Sequence, residues 1–369
     1  MVHTLVVSCP IKVEECIDRN LKAPPVLLGV DYDQKEVWES RDAGRLLRIN
    51  IEIAENRCNL RCIYCYSANA SHGSHTGLSE EETCNIMMQA KALGARSVVF
   101  TGGGEPLLNK KRFFKFVKFA LGEGLVPVVF TNGTCIDQKT ARRLDRYHVT
   151  VITKLNSLNE PEITNRLSGQ PWAHRKMWQG LQHLLETGLA ERGQLGLETV
   201  ITKANYTKIT EMWQWAREHN IIPYFELTKI QGRAKQFPNM LEVSPRSAHV
   251  LFKSLLKIDR RQFGYDWVPT PPIPGSHCHR IYCGCYVTVA GNVQPCSGVG
   301  ISFGNIKMEK LANIVAKPSF QKMRHLERYI KGKCQSCQQL GLCYGCRGNA
   351  YQMTGDPFAS DPSCWCNEC

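Results

Sequence analysis

Between residues 46 and 230 the chain alternates strand-like and helix-like segments six times, and no other feature of the sequence constrains the fold as much. "LLRINIEIA" (46–54) has the pattern of a strand and "SEEETCNIMMQAKALG" (79–94) that of a helix. Ser79 and Glu82 form a capping box at the start of this helix, and Gly94 supplies its stop. "SVVFTGGGE" follows, then a basic amphipathic helix, "VPVVFTNGT", a helix around "QKTARRLDRY" and "VTVITKLNS". The helix around "HRKMWQGLQHLLETG", then "LGLETVIT", "ITEMWQWAREHN" and "IIPYFELTKI", complete the series. Six such units predict an α/β fold with a parallel sheet and covering helices.

The strands are not uniformly apolar, as strands buried on both faces would be. In the first, Ile49, Ile51 and Ile53 point one way and Arg48, Asn50 and Glu52 the other. Glu198 and Glu226 likewise stand among apolar neighbours in later strands. Any one of these is explained by a strand end facing solvent. As a set they predict a partial (β/α)6 barrel, similar to an incomplete TIM barrel, with a wet ligand cavity inside. Near residue 264 the pattern breaks into "GYDWVPTPPIPGS", where Pro269, Pro271, Pro272 and Pro274 exclude helix and sheet. The expected organisation is an N-terminal extension (1–45), the partial barrel (46–263), a Pro-rich linker (264–277) and a small cysteine-rich domain (278–369).

Cysteine usage narrows the chemistry. The chain shows no apolar run long enough to span a membrane and no secretory signal pattern, so a cytoplasmic, reducing location is expected. Of its 18 cysteines, eleven lie between Cys278 and Cys369, and three more are Cys58, Cys62 and Cys65. In a reducing compartment such clustering predicts metal or metal–sulfur ligation rather than disulfides. Cys9, Cys16, Cys84 and Cys135 are expected to be plain core or surface residues. The net charge of +13 suits acidic substrates or an acidic redox partner. No nucleic-acid fold signature accompanies it. The basic run "NKKRFFKFVK" also carries Phe113, Phe116 and Val117 at helical spacing, as a solvated helix face would.

Structural zinc needs four ligands, commonly two separated pairs. Cys58-x3-Cys62-x2-Cys65 offers three on one short loop after a strand. A cubane iron–sulfur cluster held by three thiolates leaves one iron open. His72 and His75 offer an alternative completion as a zinc site.

This C-x3-C-x-aromatic-C arrangement, with Tyr64 as the aromatic, resembles the signature of the radical S-adenosylmethionine (SAM) superfamily. In that family the open iron binds the amino and carboxylate groups of SAM. "TGGGEP" resembles the segment that meets the SAM amino group, which implies Gly102, Gly103, Gly104 and Glu105. "TNG" supplies Asn132, and Lys154 resembles a position that reaches the SAM carboxylate or ribose. "PYFELTKIQGRA" resembles the sixth-strand region of related enzymes, and the resemblance spans roughly residues 46 to 235. The C-terminal cysteines resemble the SPASM domain, which carries two auxiliary [4Fe–4S] clusters, making three in all. By that resemblance one auxiliary cluster uses Cys278, Cys283 or Cys285, Cys296 and Cys346. The other uses Cys334, Cys337, Cys343 and Cys364, with Cys366 and Cys369 as possible substitutes for the last. The closing pair Cys343-x2-Cys346 departs from the usual C-x3-C. A zinc ribbon is the alternative for these cysteines, although the five residues between the two CxxC pairs are short for that fold.

The chemistry implied is reductive cleavage of SAM to a 5′-deoxyadenosyl radical that abstracts a substrate hydrogen. A flavodoxin or ferredoxin is implied as the low-potential electron donor. Glu198 and Glu226 are candidate acid/base groups, with a structural or SAM-binding role as the alternative. Three functions are compatible with the sequence. The first is oxidative maturation of a peptide or protein side chain, although residues 1–45 look short for a peptide-recognition domain. The second is synthesis of a tetrapyrrole or another cofactor from an acidic precursor, which "GCRGNAYQMTGDPFASDPSCW" (345–365) and the positive charge favour. The third is non-catalytic electron transfer, which would leave "TGGGEP" without a purpose.

Overall fold

In the computed structural model, which describes residues 21–67 and 77–367, the six predicted β-α units occur in chain order. After α1 (Gln34–Asp42) come β1 (Arg48–Glu52), α2 (Glu80–Ala92), β2 (Ser97–Thr101), α3 (Lys110–Gly122), β3 (Val126–Thr131), α4 (Gln138–Arg146) and β4 (Thr150–Lys154). They continue through α5 (Pro161–Ser168), α6 (Ala173–Leu185), β5 (Leu195–Ile201), α7 (Ile209–Glu218) and β6 (Ile222–Leu227). The capping box of α2 is formed: Glu82 N–H donates to Ser79 Oγ at 3.0 Å, and Ser79 N–H to the Glu82 carboxylate at 2.7 Å.

The six strands pair in parallel and in sequence order. Among the described residues β6 pairs only with β5, so the barrel stays open. Ile49 and Ile51 are fully buried with Phe100, Phe113 and Phe116 in the main core between sheet and helices. That apolar face fixes the register of β1. A slip of one residue would drive Arg48, Asn50 and Glu52 into the core instead.

The rest of the chain completes the same sheet. After α8 (Pro238–Leu241) and α9 (Pro245–Ile258), the Pro-rich stretch forms no helix or strand but lies buried against β6. There Leu227 N–H donates to the Pro272 carbonyl at 3.0 Å. Its approach is pinned by buried Asp259, which accepts from Trp213 Nε1, Trp267 Nε1 and the Arg217 guanidinium at 2.8–3.1 Å. Then follow α10 (Arg280–Cys283), β7 (Gly284–Val287), β8 (Asn292–Gln294), β9 (Gly304–Asn305), α11 (Leu311–Ala316), α12 (Pro318–Arg324) and α13 (Arg347–Thr354). β7 pairs in parallel with the free edge of β1, Cys285 opposite Ile49, and β8 and β9 continue antiparallel. The nine strands therefore run β6-β5-β4-β3-β2-β1-β7-β8-β9.

Candidate active site

The chain leaves β1 at Glu52 and turns through Glu55 and Asn56, both left-handed at φ 53° and 59°. It then carries Cys58, Cys62 and Cys65 across the carboxyl ends of the strands, where ligands of open α/β sheets bind. This loop has no regular structure, and distant backbone holds it. Arg61 N–H donates to Ser168 O at 3.0 Å, Ile63 N–H to Leu167 O at 2.9 Å and Arg233 N–H to Cys65 O at 3.0 Å. On the other side Glu105 N–H donates to Arg57 O at 2.8 Å. Gly104 makes that approach possible: at φ +120°, a Cβ there would stand 2.1 Å from Arg57 O.

The three thiols line one cavity of about 220 Å³. Burial pushes the Cys58 thiol up to about 12 and the Cys62 thiol up to about 11, the latter against the pull of Lys154. Thiols this far from water stay protonated unless a metal cation takes the proton's place. Among the described residues no three His, Cys, Asp or Glu side chains converge as ligands of one ion would. A cubane makes no such demand, because each thiolate binds a different iron. The donor set therefore fits a cluster.

The other residues read from the sequence meet at this cavity, several already paired. The Glu105 carboxylate is buried and accepts from Leu107 N–H at 3.0 Å, Thr131 Oγ1 at 2.6 Å and Asn132 N–H at 2.6 Å. Desolvation still holds its pKa above the usual carboxylate value. Asn132 Nδ2 lies 3.9 Å from Cys58 Sγ and donates to Asn59 Oδ1 at 2.9 Å. Lys154 and Glu198 stand opposite each other on β4 and β5 and form an ion pair at 3.1 Å. Burial works against the Lys154 ammonium, but Glu198 and Cys62 keep its pKa raised. It also lies 4.8 Å from the centre of the Tyr64 ring, whose hydroxyl accepts from Asn156 Nδ2 at 3.1 Å.

Glu226 is bound on two sides. The Arg280 guanidinium reaches it at 3.0 and 3.3 Å, and Lys229 forms a second ion pair with it. Burial alone would raise this carboxyl, yet the two cations hold it well below the usual range. A carboxylate so stabilised as an anion is a poor proton acceptor. Sequence reasoning missed Arg280, Lys229 and Tyr224, whose hydroxyl bonds Arg280. Arg48, which the polar face of β1 pointed to the cavity, does line it, and its buried Nε has no partner among the described residues. Missed too was a chain of hydroxyls: Tyr66 and Tyr286 are 2.7 Å apart, and Tyr286 donates to Glu52 at 2.6 Å. The alternating polar face of β1 was the available signal for Arg48 and Glu52.

Among the C-terminal cysteines, Cys278, Cys296 and Cys346 line one small hollow and Cys278 and Cys283 another. The Tyr344 hydroxyl donates to Cys278 Sγ at 3.4 Å. Cys285 points instead into the main core from β7. Cys334, Cys337 and Cys343 form a second neighbourhood, and there the Cys337 thiol is hydrogen-bonded to Cys366. Cys364 is buried, its N–H bonded to Asp361 O at 3.1 Å. Cys84 and Cys135 are half-buried against the main core. His72, His75, Cys9, Cys16 and Cys369 lie outside the described residues.

A barrel open at one edge, a three-cysteine loop at its carboxyl end and a cysteine-rich completion of the sheet define a radical SAM enzyme. The family model of the radical SAM superfamily matches residues 55–221, and that of the SPASM iron–sulfur cluster-binding domain matches residues 278–338. The chain belongs to the radical SAM superfamily and carries a SPASM domain, so it binds SAM and iron–sulfur clusters. This sets aside the reading as a mere electron carrier. An AdoMet-dependent heme synthase of Methanosarcina barkeri is 24% identical over 340 residues, covering 83% of this chain and 93% of that protein. A PqqA peptide cyclase of Granulibacter bethesdensis is 25% identical over 327 residues, covering 84% of each. The Streptococcus suis SuiB structure bound to precursor peptide SuiA shares the fold, with a TM-score of 0.64 and 18% identity over 89% of this chain and 78% of that one. No helix among the described residues is long and apolar enough to cross a membrane.

Proposed function

We propose that the enzyme oxidises a carboxylate-bearing substrate, with an auxiliary cluster at the cavity wall as electron acceptor. One observation carries this reading: Cys296 lines both the main cavity and the hollow shared by Cys278 and Cys346. Cys278, Cys296 and Cys346 would hold an iron–sulfur cluster there, and it would supply an electron acceptor beside the cavity. Three [4Fe–4S] clusters are assigned. Cys58, Cys62 and Cys65 would hold the first, Cys278, Cys283, Cys296 and Cys346 the second, and Cys334, Cys337, Cys343 and Cys366 the third. Cys366 replaces Cys364 in the last set because it is the residue in contact with Cys337.

When bound, the first cluster and SAM supply a 5′-deoxyadenosyl radical that removes a substrate hydrogen. The chain's own residues position the reactants. Gly102, Gly103, Gly104 and Glu105 would receive the SAM amino group, while Lys154 and Tyr64 would face its carboxylate and ribose. Asn132 orients Cys58. Glu198 balances Lys154, and Glu226 balances Arg280 and Lys229, so both are assigned as counter-ions rather than bases. Among the residues lining the cavity Arg48, Lys229 and Arg280 outnumber Glu226, a balance that suits an anion.

A carboxylated tetrapyrrole or other cofactor precursor is the first substrate class, favoured by this balance and by the heme synthase similarity. An acidic peptide side chain is the second, favoured by the PqqA cyclase similarity. The anaerobic enzyme, reduced in the presence of SAM and each class of substrate deuterated at its C–H positions, tests both. Deuterium in the released 5′-deoxyadenosine identifies the substrate. SAM cleavage that ignores carboxylated and amidated probes alike would defeat the proposed specificity.

A further inference from the structure

We propose that Arg347 is a counter-charge shared by the two auxiliary clusters and raises the reduction potential of both, while Lys229 adds a further cation at the cluster beside the cavity. The inference rests on the ligand sets proposed above and concerns what tunes the clusters they hold. Arg347 is 1% exposed, and a cation so far from water is ordinarily compensated by an anion. Arg217, also buried, has such a partner in Asp259 at 2.9 Å. Arg347 forms no ion pair among the described residues. Its guanidinium donates to the Pro357 carbonyl at 3.1 Å and the Ala359 carbonyl at 2.5 Å, and its Nε has no hydrogen-bond partner there.

What this guanidinium faces is cysteine sulfur. One Nη lies 4.0 Å from Cys334 Sγ, in the third ligand set. The same side chain lines the hollow of Cys278, Cys296 and Cys346, in the second. Its place in the chain accounts for the sharing. Arg347 follows Cys346 at the start of α13, so the turn that presents one thiol carries the guanidinium to the other set. Burial pushes the Cys343 and Cys346 thiols up to about 12, so thiolates here need positive charge close by. A four-thiolate cluster is itself an anion, and an added electron makes it more so. A buried cation beside it therefore favours the reduced state and raises the potential. Lys229 faces the second set. It lines the same hollow and the main cavity, and its ammonium pulls the Cys346 thiol down against burial.

The test is a potentiometric titration of the cluster-loaded enzyme followed by electron paramagnetic resonance, with iron per chain measured for every variant. Addition of SAM identifies the signal of the first cluster, and losses in Cys296→Ser and Cys337→Ser identify the second and third. Arg347→Gln is expected to shift the reduction equilibrium of both auxiliary clusters tenfold towards the oxidised state, 59 mV for one electron. Arg347→Lys keeps the charge and should stay within threefold at both. Lys229→Met should shift the second cluster tenfold and leave the third within twofold. Potentials that Arg347→Gln leaves unmoved, or moves at one cluster only, would overturn the proposal, as would an unmoved second cluster in Lys229→Met. Should Arg347→Gln assemble no auxiliary cluster, recovery of both in Arg347→Lys supports the counter-charge, and failure of both variants refutes it. An unmodified enzyme without auxiliary signals would sink the ligand sets and this inference together. Two auxiliary signals with unmoved potentials would sink the inference alone.

Discussion

Gly104→Ala is a direct probe of how the cysteine loop is held. The added Cβ would stand 2.1 Å from Arg57 O and 2.8 Å from the Arg57 carbonyl carbon, both backbone atoms that no rotamer change can clear. At φ +120° the backbone itself disfavours any side chain, at about 1–3 kcal/mol. Forcing the two segments apart adds about 1–3 kcal/mol of overpacking. Losing the Glu105 N–H to Arg57 O bond adds about 1 kcal/mol. The expected destabilisation is therefore about 3–7 kcal/mol, a large share of the ~5–15 kcal/mol that holds a typical fold together. Gly124→Ala is the control, since at φ +66° its Cβ would meet only Lys91 Nζ, at 3.5 Å. It should cost about 1–2 kcal/mol. Denaturant unfolding of the iron-free proteins gives both numbers, and iron per chain after reconstitution gives the consequence. Gly104→Ala should lose about a third of the iron of the unmodified protein, because the displaced segment precedes Cys58. Unfolding midpoints and iron contents that match between the two variants would refute the reasoning.

Glu226→Gln should destabilise the protein by about 3–5 kcal/mol, since it strands Arg280 and Lys229 as buried cations. The folded pKa of Glu226 lies below its ordinary 4.5, so the carboxylate's contribution is fully present above that value and fades only as pH falls below it. Stability measured from pH 5 to 8 should therefore show no step from this group, and a step there that vanishes in Glu226→Gln would count against the assignment. Cys283→Ser should lower the iron content by about a third while Cys285→Ser leaves it unchanged, and Cys366→Ser should cost iron where Cys364→Ser does not. Iron analysis and electron paramagnetic resonance of the reduced variants decide both pairs.

What was readable in the sequence was local. The capping box of α2, the six β-α units and the spacing of Cys58, Cys62 and Cys65 are all encoded within a few residues of one another. The polar face of β1 was legible because strand alternation is strict. What escaped depended on long loops closing. Tyr286 meets Glu52 across 234 residues, and Arg280 meets Glu226 across 54. No periodicity announces "GCYV" as a strand, since four residues among cysteines give no pattern to count. Once β7 is recognised, alternation separates its neighbours. Tyr286 faces the cavity, and Cys285 must face the core beside Ile49. Under the proposed ligand sets, the choice between Cys283 and Cys285 thus turns on a strand assignment.

That short strand also explains why the C-terminal part belongs to the active site. An open parallel sheet leaves β1 with a row of unpaired backbone groups, an edge that invites association with other chains. β7 covers this edge through four residues, pairing Arg48 with Gly284 and Ile51 with Val287. The same register sets Tyr286 opposite Asn50, from where its hydroxyl reaches the carboxylate of Glu52. α10 then delivers Arg280, and the turn after β8 delivers Pro295, Cys296 and Ser297, to the cavity wall. Closing the edge and building the wall are one structural event. Removing the segment after residue 264 would therefore cost more than its cysteines. It would strip the cavity of Arg280 and Cys296, and it would leave Glu226 with one fewer cation and Glu52 without its hydroxyl donor.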